Sequence, residues 1–103
     1  MVIRVVVAGI GEQPREDDPL DAASAALRNH GAEVIYTGWA QSPQQVVVGA
    51  LQEDVAAIGL CGAATGPCAE IEALLAEYGA ADITVFALAS GPEPLIEWVH
   101  GHR

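Results

Sequence analysis

Four short apolar runs, each followed by a helix-starting signal, decide what this chain can fold into. Residues 2–8 form a nearly unbroken β-branched run, bounded by Gly9 and Gly11. A run without alternation predicts a strand buried on both faces. Similar runs recur at residues 33–37, 55–60 and 83–89. Helix signals stand between them. Asp18 precedes Pro19 as a cap before a first-position proline, Asp21 follows three residues after the cap, and Gly31 ends the segment near His30. Ser42-Pro43-Gln44-Gln45 repeats the device with a glutamine at the third position, and Val46, Val47, Ala50 and Leu51 supply an apolar stripe. Pro67 opens a third helix in which Ile71, Leu74, Leu75 and Tyr78 share one face, and Gly79 closes it. Residues 93–100 are a short last helix after a turn at residues 90–92. Strand and helix alternating through short links give parallel strands and right-handed crossovers. The expected architecture is α/β and flavodoxin-like: a parallel sheet of about four strands flanked by helices, with residues 1–103 forming one domain around one core.

Charge limits the partners. The chain has 14 acidic residues against four arginines and no lysine, a formal net charge of −10. Nucleic acid and anionic membrane surfaces both demand a basic face, so neither is an expected partner. The acidity reads as solubility, with docking on a basic partner as the alternative. The apolar runs are too short to cross a bilayer, and no cleavage-site pattern follows the first one, so a cytoplasmic location is expected. Cys61 and Cys68 are not expected to form a structural disulfide there. Two cysteines and three scattered histidines make no zinc pattern, and no metal is expected.

Ligands on such sheets sit at the carboxyl ends of the strands, which points to the loops at 9–18, 38–42, 61–67 and 89–92. Gly9-Ile10-Gly11 lacks the third glycine of a dinucleotide fingerprint. The carboxylates Glu12, Glu16, Asp17 and Asp18 read as a solvated loop with Asp18 engaged as a cap, rather than as a divalent-cation site. Cys68 falls in the first turn of the third helix, where the dipole lowers a thiol pKa; the competing reading for it and for Cys61 is a small buried cysteine. His100 and His102, two apart, would point the same way in an extended segment and could bind a metal there; the competing reading is surface residues near the terminus, and His30 reads as a partner of its own helix's C-terminus. No Ser-His-Asp or Cys-His set has readable spacing. A phosphoreceiver needs an aspartate after the third strand and a lysine later. Cys61 holds the first place and there is no lysine. Trp39 follows the second strand at the ligand-binding end, either as a contact for a ligand or partner or as a residue packed over the sheet edge.

The middle of the chain carries a family resemblance. Gly31-Ala32-Glu33-Val34-Ile35-Tyr36-Thr37-Gly38, Gln41-Ser42-Pro43-Gln44-Gln45 and Gln52-Glu53-Asp54-Val55-Ala56-Ala57-Ile58-Gly59-Leu60 closely resemble the cobalamin-binding domain of the methylmalonyl-CoA mutase and acyl-CoA mutase small-subunit family. The likeness resumes at Leu74-Leu75, at Tyr78-Gly79-Ala80 and at residues 82–86, and covers most of residues 3–92. It implies cobalamin as cofactor, held base-off. In the family, a histidine in a D-x-H-x-x-G loop after the first strand binds cobalt. The nucleotide tail enters a slot beside the sheet, lined by an S-x-L serine after the third strand and a Gly-Gly pair at the end of the fourth. The equivalent cofactor-binding positions here are Gly11, Glu16, Asp17, Cys61, Ala63, Ala87, Leu88 and Gly91. Three of these places depart from the pattern. The first loop has no histidine, and Glu16 or Asp17 falls where the ligand stands. A carboxylate does not reproduce imidazole ligation. Cys61-Gly62-Ala63 replaces S-x-L, with a thiol of serine's size but weaker as a donor. Ala87-Leu88 replaces the glycine pair, and a leucine pointing into the slot fills it.

The resemblance with these departures implies an accessory or scaffold subunit that has lost the histidine-ligated cobalamin site. The alternative is a corrinoid-binding small subunit of an acyl-CoA mutase-type isomerase, and a third reading is a small enzyme using Cys61 or the loop carboxylates. Family members continue into a fifth strand and a final helix where this sequence stops at Arg103. The fourth strand is therefore expected to be an apolar sheet edge. Val85, Phe86 and Trp39 would then form a surface that meets a second copy, as a homodimer, or a partner such as a mutase large subunit.

Overall fold

The structure is a computed structural model that describes residues 2–15, 18–62, 65–88 and 91–102. Strand β1 (Arg4–Gly9) is buried from Val5 onward on both faces, as its unbroken apolar run requires. It is followed by α1 (Pro19–Asn29), β2 (Glu33–Gly38), α2 (Pro43–Glu53), β3 (Ala57–Cys61), α3 (Thr65–Glu77), β4 (Thr84–Ala87) and α4 (Glu93–Gly101). All pairings are parallel, and the sheet order is β2-β1-β3-β4. The expected α/β flavodoxin-like architecture of four strands is what forms.

Successive side chains of a strand point to opposite faces, and this splits the core in two. Val5, Val7, Ala57 and Cys61 pack with Leu20 and Leu27 of α1 and with Leu95 and Val99 of α4. Val6, Ala8, Ile58 and Leu60 pack with Val46 and Val47 of α2 and with Ile71 and Leu75 of α3. Each fully buried leucine or isoleucine in these layers contributes about 1.5–3 kcal/mol of transfer free energy. No helix of the described residues is long and apolar enough to cross a membrane.

The helix starts follow the sequence signals with one shift. Asp18 caps α1 by accepting from the Leu20 amide at 2.9 Å. Ser42 and Gln45 form a reciprocal capping box at the start of α2. α3 begins at Thr65, two residues before the expected Pro67. A proline fits inside a first turn because the amides there have no helical acceptor.

β3 starts at Ala57 rather than at Val55. The Val55 amide is taken by Ala50 O (3.2 Å), and the Ala56 amide already reaches across to Arg4 O (2.9 Å). β4 is shorter than the apolar run at 83–89, although the Leu88 amide still donates to Leu60 O at 2.7 Å. β4 has a sheet neighbour on one side only among the described residues. Its Val85 and Phe86 are half-buried against the two core layers, and Phe86 meets Trp98 of α4 edge-to-face with centroids 6.0 Å apart.

Candidate functional site

The carboxyl ends of β1 and β3 are closed by one side chain. β2 carries an extra residue, because Val7 pairs with Tyr36 while Ala8 pairs with Gly38. The resulting bulge bends the strand end. Gly38 then turns at φ 89°, a conformation that a side chain would oppose, and Ala40 is held at φ 60°. This path lays the loop back over the first one: Ala40 N donates to Gly11 O and Gln41 N to Gly9 O, both at 3.0 Å.

The Trp39 indole consequently lies on bare backbone. A Cβ at Gly9 would collide with the indole ring, and one at Gly62 would stand 2.9 Å from Trp39 Cζ3 and 2.7 Å from Ile10 O. Trp39 Nε1 donates to Asp18 Oδ1 at 3.1 Å, and Gln13 Nε2 donates to Asp18 Oδ2 at 3.3 Å. Asp18 therefore caps α1 and anchors Trp39 with the same oxygen. Trp39 is half-buried with its N–H paired inside the chain, and it packs over the ends of the two central strands rather than over the sheet edge.

Leu88 closes the next position. It is buried and points to the α1/α4 face, where its Cδ1 stands 2.8 Å from the place a Cβ on Gly59 would take, beside Leu95. Cys61, at the end of β3, is 1% exposed, and its thiol pKa is pushed up to about 11, first by burial and then by the charge of Asp18. A protonated, buried thiol is no nucleophile. Cys68 is half-buried, and its pKa also rises, through burial and then the charge of Glu72, the direction of the buried-cysteine reading rather than of the helix-start one. Gly11 is exposed at φ 87°, Ala87 is exposed at the end of β4, and Gly91 turns at φ 112° beside the Glu93 carboxylate. Glu16, Asp17 and Ala63 lie outside the described residues.

No family model matches the sequence. The chain is 39% identical over 88 residues to the 2-hydroxyisobutanoyl-CoA mutase small subunit of Aquincola tertiaricarbonis. By sequence the chain resembles that small subunit. The alignment takes in 82% of this chain and 64% of that protein, so the chain spans less than two thirds of its relative's length. A crystal structure of a cobalamin-binding protein from Desulfitobacterium hafniense DCB-2 has the same fold, with a TM-score of 0.69 over 96% of this chain and 50% of the other. At 17% identity that likeness is one of fold alone.

The three histidines stand away from the loops just described, at the C-terminal ends of two helices. His30 caps the C-terminus of α1, and His100 and His102 stand at the end of α4. Helix C-termini in parallel β-α-β units return to the amino edge of the sheet. His102 accordingly lines a cleft of about 540 Å³ there with Val2, Arg4, Asp54, Asp82 and Trp98. His30 stands at the C-cap of α1, as expected from sequence, and its ring Nδ1 faces His100 Nε2. The ring that does bond a helix carbonyl is His102, from Nδ1 to Trp98 O at 2.7 Å. Sequence reasoning missed the role of Gly9 as a floor for Trp39 and the double duty of Asp18. The only signal was the pairing of small residues at two adjacent strand ends.

Proposed function

We propose that this chain is an accessory small subunit built on a cobalamin-domain scaffold. It assembles with a larger mutase-type subunit and does not take up cobalamin in the base-off, histidine-ligated way. The observation that carries this reading is the Trp39 indole lying across Gly9 and Gly62, the ends of β1 and β3. Family members admit the nucleotide tail beside the sheet at this end. Leu88 on Gly59 fills adjoining space on the same face. Entry of a tail along that path would break the Trp39–Asp18 bond and uncover part of the indole, at a cost of roughly 2–3 kcal/mol.

Ligand chemistry supports the same reading. The loop at 9–18 has no histidine, and the three histidines of the chain stand at the opposite edge. A loop without a histidine offers no imidazole for the family's cobalt-binding arrangement, which supports the reading. Assembly is supported by the small-subunit relative and by the half-buried apolar strand β4, whose outer side has no sheet partner among the described residues.

A second reading, a corrinoid-binding small subunit of an acyl-CoA mutase-type isomerase, is favoured by the 39% identity to such a subunit. Titration with hydroxocobalamin and adenosylcobalamin, followed by visible absorbance and calorimetry, separates the two. The accessory reading predicts no binding at high micromolar concentration. Tight binding with a spectral shift establishes the second reading in its place.

A further inference from the structure

Two histidines that are 70 residues apart in sequence meet at the amino edge of the sheet. His30 follows the last turn of α1 and His100 lies in the last turn of α4. His30 Nδ1 and His100 Nε2 are 2.8 Å apart, with the rings nearly perpendicular at 89° and their centroids 4.9 Å apart. At that distance one nitrogen carries a proton and the other offers its lone pair. Moving the proton of the donor ring to its other nitrogen turns two lone pairs into the gap. Both rings are exposed, so each can make that change and keep a water at the far nitrogen.

From this geometry we infer that His30 and His100 form a bidentate site for a borderline transition-metal dication such as Zn²⁺ or Ni²⁺. Neutral imidazole is the commonest protein ligand for such ions. With metal–nitrogen bonds of about 2.0–2.1 Å at a tetrahedral angle, the two nitrogens stand roughly 3.3–3.4 Å apart. The rings need to separate by only about 0.5 Å, within the freedom of exposed side chains. The C-terminal ends of α1 and α4 both point their partial negative charge at this corner, which favours a cation, and the net charge of −10 adds to that field.

Among the described residues no third histidine, cysteine or carboxylate completes a cluster, so water fills the remaining positions. His102 is engaged elsewhere, stacked on Trp98 at 4.1 Å and bonded to its carbonyl. The ion therefore clamps two helices without being needed for the fold, and its affinity is micromolar rather than that of a closed structural site.

The test is calorimetric titration of the untagged chain with Zn²⁺ and with Ni²⁺, paired with thermal unfolding. The expected result is one ion per chain and a midpoint raised by several degrees in metal excess. His30→Ala and His100→Ala each weaken binding at least tenfold and abolish the thermal shift, while His102→Ala stays within twofold of the parent chain. Binding that survives His30→Ala, or that is lost equally in His102→Ala, overturns the site, as does the absence of binding at millimolar metal.

Discussion

Trp39→Ala removes the contact that closes the carboxyl end of the sheet, and its cost can be worked from the geometry. A fully buried tryptophan cut to alanine costs about 3–5 kcal/mol. Trp39 is half-buried, so the packing share is roughly 2 kcal/mol. Its Nε1–H bond to Asp18 adds about 1 kcal/mol. The sum, about 3 kcal/mol, is a large part of the ~5–15 kcal/mol that holds a domain of this size together. For a chain of about 100 residues it lowers the thermal midpoint by roughly 10–20 °C.

Urea unfolding followed by circular dichroism and by the remaining Trp98 measures this directly. Trp39→Phe keeps a ring over Gly9 and Gly62 but loses the N–H, so it is expected to lose only about 1 kcal/mol. A loss below about 0.5 kcal/mol for Trp39→Ala, in the range of an ordinary surface change, would refute the claim that the indole closes the sheet end. The same variant bears on function. If Trp39 and Leu88 together exclude a nucleotide tail, the double variant Trp39→Ala, Leu88→Ala is expected to bind corrinoids more tightly than the parent chain, read by visible absorbance.

Other expectations follow from the same site. Gly62→Ala places a methyl group against Ile10 O and the Trp39 ring in a residue at φ 74°, so a loss of roughly 2–4 kcal/mol or outright failure to fold is expected in denaturant titration. Asp18→Ala removes the α1 cap and the Trp39 anchor and should cost about 2 kcal/mol; Asp18→Asn keeps an acceptor and should cost less than half of that. Cys61 has a native pKa of about 11 against an ordinary 9.0. The unfolded chain therefore releases this proton first, and the Cys61 contribution to stability, complete below pH 9.0, declines as pH rises toward about 11. Cys61→Ala should flatten that part of the stability–pH curve, and in the parent chain iodoacetamide should reach Cys68 well before Cys61.

Much of the fold was legible because its signals are local. The unbroken apolar run in β1, the Asp18-Pro19 and Ser42-Pro43 caps and the closing glycines act within a few residues, so their meaning survives without the rest of the molecule. The likeness to a mutase small subunit was legible too, since it rests on contiguous words between residues 31 and 60.

The candidate site was not legible in this way. Whether Trp39 faced a partner or the chain's own backbone depended on a one-residue bulge in β2 and on the absence of side chains at Gly9 and Gly62, two strands distant from each other in sequence. For Cys68 the sequence offers both a thiol at a helix start and a small buried cysteine. Desolvation, which depends on what packs above it, set the sign of its pKa shift.

The sequence alone determined the order of strands and helices, the caps and the acidic balance, because those follow from propensity, spacing and counting. Only the tertiary structure decided that β1 and β3 lie side by side, so that one indole spans both ends, and that α1 and α4 share a face, so that His30 meets His100. Contacts between residues far apart in the chain depend on the sheet order. That order emerges from how all the apolar faces are buried together, a property that no single segment of this sequence carries.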